Sequence, residues 1–198
     1  MSAAGKVCTG FSLPYVGLYA ESQGAVTYTS VQQLARGVEV SIEAEASDDA
    51  TFYADNIAAE IIPGQFTNGT LTLTVDGLFQ SAEKLIQGLD TADTDGWVAY
   101  DKNQSTPFVG VGFIVRYLTD GVEKFTPIFL PKCVFKPQKL EAETQGEEID
   151  FQTQELEATI YRDGTEDAAW KYVGADCATE ALALTALQTK MGVTPITT

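Results

Sequence analysis

Regular alternation of apolar and polar residues is the feature that most constrains the fold of this chain. In ARGVEVSIEAEAS (35–47), Val38, Val40 and Ile42 occupy one parity, and the other parity holds glutamates and a serine. Period-two alternation is typical of a strand that buries one face. The polar parity then places carboxylates about 7 Å apart along the opposite face, with no lysine or arginine between them. We therefore expect a β-sheet that carries a wall of negative charge.

Other segments extend the β pattern. Asn68–Gly69 precedes the alternating run TLTLTV (70–75), and this dipeptide predicts a hairpin turn. Asp120–Gly121 predicts another tight turn, within a long hairpin formed by the strands on either side of it. FVGVGFIV (108–115) is apolar on both faces, which predicts a central strand covered on two sides. Because this strand carries more apolar surface than one core requires, we expect it to supply subunit contacts. The candidate contact residues are Phe108, Val109, Val111 and Phe113.

Two helices are expected beside the strands. A short internal helix is predicted at 81–89 with Ser81 as its N-cap, and a C-terminal helix is predicted after Asp176 as its N-cap. The predicted fold class is therefore mainly β, a sandwich or barrel with these two helices. The expected organisation is a Gly-, Ser- and Thr-rich N-terminal lead-in (1–33), one β domain (34–175), and a C-terminal helix and tail (176–198).

The charge balance and the cysteines exclude several classes of protein. The chain has 28 acidic and 12 basic residues, a formal net charge of −16, so binding to nucleic acid through a basic patch is not expected. No apolar run approaches the roughly 20 residues needed to span a bilayer. The three cysteines are far apart, which indicates free thiols rather than a disulfide framework or a zinc site. We expect a soluble protein made in the cytoplasm, without membrane contact.

The sequence offers little catalytic chemistry. It contains no histidine, which removes histidine-based triads and the commonest general base. It also lacks the glycine-rich motifs that bind nucleotide phosphates. The segment DTADTDG (90–96) does not have the ligand spacing of an EF-hand, although a looser calcium site at Asp93 and Asp95 stays open beside a plain turn. We expect no enzyme activity, no cofactor and no resident metal.

Several segments occur in an order that is similar to one family of proteins. In chain order they are GLYAESQGAVTYTS, GVEVSIEAEASDDATFYADNIAAE, TLTLTVDGL, PFVGVGFIVRYL, IFLPKCVF and GEEIDFQTQELEATIYR. Together they resemble the major tail proteins, or tail tube proteins, of bacteriophages with long non-contractile tails, the siphovirus type. The resemblance implies a tail-tube fold in a virion protein. It also implies rings, usually hexameric, that stack into a hollow tube whose inner sheets close into one β-barrel.

The same resemblance implies a set of partners. They are other copies of the chain, the tape measure protein, tail terminator proteins, baseplate or distal tail proteins, and DNA that passes through the lumen without specific binding. Because DNA carries one negative charge per about 1.7 Å of helix axis, a lumen lined with carboxylates would repel it mildly and keep it moving. The candidate lumen-facing acids are Glu39, Glu43, Glu45, Glu141, Glu143, Glu155 and Glu157.

Other interpretations of these residues stay open. The glutamates of 39–45 also suit an exposed outer strand of any acidic protein. The chain is also compatible with the tube protein of a contractile-injection or secretion system, which resembles tail tubes in fold. A third alternative is a β-sandwich adhesin or carbohydrate-binding module, which needs an exposed aromatic platform. The candidate platform residues are Tyr15, Tyr19, Tyr28 and Trp97.

Overall fold

One antiparallel sheet organises most of the computed structural model, which describes residues 5–54, 57–89, 95–102, 104–142, 144 and 152–193. Within these residues the elements are β1 (Val7–Ser22), β2 (Ala25–Gln33), β3 (Gly37–Ala46), β4 (Ala50–Ala54), β5 (Ile57–Ile62), β6 (Phe66–Val75), α1 (Gln80–Gln87), β7 (Val109–Thr119), β8 (Val122–Phe135), β9 (Gln154–Tyr161), β10 (Tyr172–Val173) and α2 (Glu180–Lys190). The predicted mainly β class, with a short internal helix and a C-terminal helix, is confirmed.

The strand order of the main sheet is β2-β1-β7-β8-β9-β6-β3, and β10 pairs with β8 beside this path. Strands β4 and β5 form a separate two-stranded sheet. Strand β3, at one end of the strand order, comes close to β1, near the other end. The Phe11 ring of β1 occupies the space that a Cβ on Gly37 of β3 would need. The sheet therefore curls around one main core, to which β1, β6, β7, β8, β9 and α1 contribute buried side chains.

Strand β7 is covered on both faces, as its sequence predicts. Alternate residues from Val109 to Val115 enter the main core, while Ile114 packs on the other side against Phe125 and Ala183 of α2. A Cβ added to Gly112 would overlap the Leu187 side chain of α2, so the glycine permits the close approach of this helix. The second apolar face of β7 is thus covered by the chain itself.

This arrangement changes the prediction of subunit contacts at β7. Val109, Val111 and Phe113 are at most 1% exposed in a single chain, so their side chains have no surface to offer to a neighbour. The apolar surplus that suggested such contacts is taken up by α2 and by Tyr28, whose ring lies over Gly110. Only Phe108, which precedes β7 and is 42% exposed, keeps surface that a second subunit could contact.

In the segment expected as a lead-in (1–33), β1 and β2 belong to the main sheet, and Val16 is fully buried. The sequence shows only weak periodicity there since the pairing of β1 with β7 shifts register between Cys8 and Gly10 and again between Ser12 and Tyr15. Each shift moves the apolar residues to the other parity. A real strand therefore looks irregular in the sequence.

Of the two predicted turns, one is confirmed and one is wrong. Asp120 and Gly121 both have positive φ and connect β7 to β8. Asn68–Gly69, in contrast, lies within β6, where Gly69 pairs with Ala44 of β3. A Cβ on Gly69 would press against the Glu43 carbonyl oxygen, so this glycine serves close strand packing rather than a turn.

The predicted helices exist, but their caps differ from those expected. Helix α1 begins after Phe79, without a side-chain cap at Ser81. Helix α2 has Thr179 as its N-cap, and the Thr179 side chain accepts a hydrogen bond from the Leu182 amide. Asp176 instead accepts hydrogen bonds from Lys6 Nζ (2.6 Å) and Thr126 Oγ1 (2.5 Å), and these bonds hold the pKa of its carboxyl below the usual value. Asp176 therefore joins the N-terminal segment to β8.

The packing of Leu187 on Gly112 predicts a coupled pair of substitutions. Gly112→Ala should lower the free energy of unfolding by about 1–3 kcal/mol through overpacking, and Leu187→Ala by about 2–5 kcal/mol through the cavity it leaves. The double variant should lose about 1 kcal/mol less than the sum, because the new methyl group enters the vacated space. Urea denaturation measures these values, with the exposed Leu182→Ala as the neutral control. Strict additivity would contradict the contact.

Candidate functional site

The register of three neighbouring strands builds an acidic surface. Each line across β3, β6 and β9 joins residues that are direct partners, and direct partners share one face of a sheet. The lines are Glu39–Thr74–Glu155, Ser41–Thr72–Glu157 and Glu43–Thr70–Thr159. We call these nine residues the acidic face. A central row of threonines therefore separates two outer rows that contain the glutamates.

Residues of the opposite parity fix the orientation of this face. Leu71, Leu73 and Leu156 are buried in the main core, and Val40 and Ile42 pack against it. The acidic face must then point away from the core. The alternation in TLTLTV thus has the same cause as that in VEVSIE. In both strands, every second residue faces the main core and the residues between them form the acidic face.

One residue of the opening pattern does not follow the prediction. Val38 was expected to share the buried face with Val40 and Ile42, yet its side chain is 55% exposed. The pairing with β6 shifts between Gly37 and Glu39, so Val38 is an extra residue without a direct partner in the ladder. A bulge of this kind turns a side chain out of the regular alternation.

The electrostatics of the acidic face are mildly repulsive. Glu39 and Glu155 are two strands apart, about 10 Å at the usual strand spacing, and two charges at that distance repel by about 0.4 kcal/mol in water before salt screening. The Lys136 ammonium forms an ion pair with Glu157 at one border of the face. Within the described residues, Glu39, Glu43 and Glu45 form no ion pair. Negative charge therefore dominates near β3.

The remaining candidate acids fall in different places. Glu45 is exposed, pairs with Asn68 and has the parity of Glu43, so it continues the acidic face toward the end of β3. Glu141 lies in the segment after β8, where it forms an ion pair with Lys139 and raises the pKa of that lysine. Glu143 lies outside the described residues. The structure thus brings together five of the seven candidates: Glu39, Glu43, Glu45, Glu155 and Glu157.

Part of this surface has no signal in the sequence. The three threonines of β6 show only the polar parity of an alternating strand, although they form the centre of the acidic face. Nothing in the local sequence marks Lys136, although it is the cation beside Glu157. No local pattern could reveal either role. The paired residues of β6 and β9 are about 80 positions apart in the chain, and Lys136 and Glu157 are about 20 positions apart, so their contact depends on the register of distant strands.

The aromatic residues do not form the platform that an adhesin requires. Tyr15 and Tyr28 pack against the cluster of Phe129, Leu187 and Met191, and the Tyr28 hydroxyl donates to the Pro131 carbonyl. Burial raises the pKa of Tyr28 well above its usual value. Tyr19 is half-buried and contacts the Tyr28 ring edge to face, whereas Trp97, in the segment after α1, is 77% exposed. The three tyrosines are therefore engaged in packing within the chain.

Three further features were compared with this surface: groups of metal-binding side chains, membrane-spanning helices, and similarity to known families. The described residues contain no group of three or more side chains suited to hold a metal ion, and Asp93 of the looser calcium proposal lies outside them. No helix in the described ranges is long and apolar enough to cross a membrane. Comparison with family models and with curated proteins finds no match to this chain.

The charge arrangement predicts opposite effects for two similar substitutions. Glu39→Gln should raise the melting temperature by about 1–2 °C at low salt, because it relieves repulsion worth up to about 0.5 kcal/mol. Glu157→Gln removes the partner of Lys136 and should lower stability by at most about 1 kcal/mol. Both effects should shrink at about 0.5 M salt. Thermal melts at the two ionic strengths check this, and equal shifts for both variants would contradict it.

Proposed function

We propose that this chain is a structural virion protein that assembles into stacked rings, forming the tail tube of a bacteriophage with a long non-contractile tail. The acidic face lines the lumen, and DNA slides along it during genome ejection. The chain acts as a scaffold and a conduit rather than as an enzyme. Its partners are further copies of itself, the tape measure protein inside the tube, and terminator and distal tail proteins at the ends.

One observation carries this proposal: the acidic face is a regular, solvent-facing wall of a long sheet. Its carboxylates stand in rows beside neutral hydroxyl groups, and within the described residues Glu39, Glu43 and Glu45 form no ion pair that would neutralise them. A surface that binds DNA would instead present lysine and arginine, which release counterions on binding. Rows of glutamate and threonine suit a polymer that must pass without being held.

The ends of the sheet order support lateral assembly. Strands β2 and β3 are the terminal strands of the main sheet, so within the described residues each has one edge without a ladder partner, and Phe11 of β1 approaches β3 at its Gly37 end. Unpaired edges readily template pairing with a strand of another molecule. Because β3 also carries part of the acidic face, pairing at this edge would extend the face from one subunit to the next. A closed ring would then line its lumen with one copy of the wall per subunit.

The assembly step has a direct test. Purified protein should associate into rings or tubes with rising concentration, and negative-stain microscopy with sedimentation velocity should detect them. Replacement of Ile42 by proline removes a backbone donor in the terminal strand and should reduce assembly, although it also strains the pairing with β6. For that reason the wild-type chain is the deciding sample. A monomer at high protein concentration and in physiological salt would overturn the proposal.

The lumen assignment predicts a selective defect in DNA passage. Changing Glu39, Glu43 and Glu45 together to lysine should leave tubes intact but slow genome ejection, most strongly at low salt, because lysines bind phosphate. A matched control changes three exposed acids away from the face: Glu123, Glu166 and Asp167. Ejection is followed by DNA release from reconstituted phage. Normal ejection by the first variant, or equal slowing by both, would refute the assignment.

A further inference from the structure

A cleft opens between helix α2 and strand β10, on the side of β8 that faces away from the main core. Phe129 and Leu187 form its floor and are at most 3% exposed. Tyr172 lines it on the β10 side, and Ala186 lines it on the α2 side. We call this space the α2–β10 cleft. Its volume of about 270 Å³ lies just below the usual range for ligand sites, so it suits a small ligand.

Backbone pairing and close packing hold the two walls of the cleft in place. Tyr172 pairs with Phe129 in the ladder between β10 and β8, and the Gly174 amide extends this pairing with a hydrogen bond to β8 (2.8 Å). The rings of Tyr172 and Phe129 stack with their centroids 6.3 Å apart. On the other side, α2 is fixed by Leu187, which packs closely over Gly112. The cleft is therefore formed within the single chain, and a ligand does not have to open it.

One charged side chain lines the cleft. Lys190 is the only charged residue among the described residues that line it, although the whole chain has 28 acidic residues. The Lys190 ammonium lies 3.7 Å from the centre of the Tyr172 ring and forms no ion pair with a described residue. An aromatic face attracts a cation but does not neutralise its charge. The cleft thus combines an apolar floor with a cation that one anionic group can pair with.

The acid next to Tyr172 does not compete for this cation. The Tyr172 hydroxyl, at the end of the ring, donates to Asp163 Oδ2 (3.2 Å). Asp163 Oδ1 accepts hydrogen bonds from Thr165 Oγ1 (2.7 Å) and from the Ala169 amide (3.1 Å). The Asp163 side chain is buried, and these donors satisfy its carboxylate within its own loop. An anion in the cleft therefore meets Lys190 without a carboxylate among the described lining residues.

We propose that the α2–β10 cleft binds a small carboxylate ligand, whose apolar group fills the cleft and whose carboxylate pairs with the Lys190 ammonium. Charge complementarity selects the anion, since a single ammonium matches a single negative charge. The volume sets the size of the ligand, because it equals that of about nine water molecules in the liquid and so admits about ten non-hydrogen atoms. The site lies within one chain and does not depend on the proposed assembly.

Two probes with the same apolar group test the role of the charge: hydrocinnamate and its primary amide. Ligand-observed saturation-transfer NMR measures their binding in free or assembled protein alike. Hydrocinnamate should bind saturably, with a dissociation constant on the order of 1 mM for a ligand of this size. The amide should bind about threefold to fivefold more weakly, because it lacks the ion pair.

Two lysine variants and one cleft variant locate the site. Lys190→Met should weaken hydrocinnamate binding about threefold to fivefold and leave the amide unchanged. The matched control, Lys171→Met, removes the same charge from an exposed lysine that does not line the cleft, and should bind like the wild type. Ala186→Phe places a ring in the cleft from an exposed position on α2, so both probes should bind at least about tenfold more weakly.

Each contrary result overturns the proposal. Absence of saturable hydrocinnamate binding up to about 10 mM would remove the site altogether. Equal affinity for the two probes, or equal loss in the two lysine variants, would show that Lys190 does not select a carboxylate. Undiminished binding by Ala186→Phe, folded by circular dichroism, would place the ligand elsewhere. If that variant does not fold, the comparison of the two lysine variants decides.

Discussion

The antiparallel register of β3, β6 and β9 is the constraint on which the rest of the structure depends. Side chains alternate between the faces of a strand, so fixing the register fixes which residues meet on each face. Here one face buries Leu71, Leu73 and Leu156, and the other collects glutamates and threonines. Burial of the leucines stabilises the pairing and thereby holds the acidic face together, although that face by itself is slightly repulsive.

Strand β7 adds a second requirement, because both of its faces must be covered. The main core covers one face, and α2 covers the other through Ala183 and Leu187. Close approach is possible because β7 has glycine at 110 and 112. This packing leaves little apolar surface on β7 for other molecules. Large exposed apolar side chains occur elsewhere, among them Phe52 and Ile61 of the β4–β5 pair and Phe79 after β6.

The surfaces of the chain lie in different directions. The terminal strands β2 and β3 have edges that point sideways along the sheet order, whereas the β4–β5 pair extends from one end of β3 and β6. The acidic face is perpendicular to both directions. In the proposed tube, ring closure would use the backbone of the strand edges, and DNA would meet the side chains of the acidic face.

The sequence by itself determined the local elements: the alternation of β3, β6 and β9, the turn at Asp120–Gly121 and the two helices. These depend on side-chain period and backbone preference, which neighbouring residues encode. Tertiary structure decided the rest. It placed β1 inside the sheet despite its shifted register, put Gly69 within a strand, and buried the second face of β7 under α2. It also aligned Glu39 with Glu155 across Thr74, because pairing between distant strands is set by the packing of the whole core and not by any local pattern.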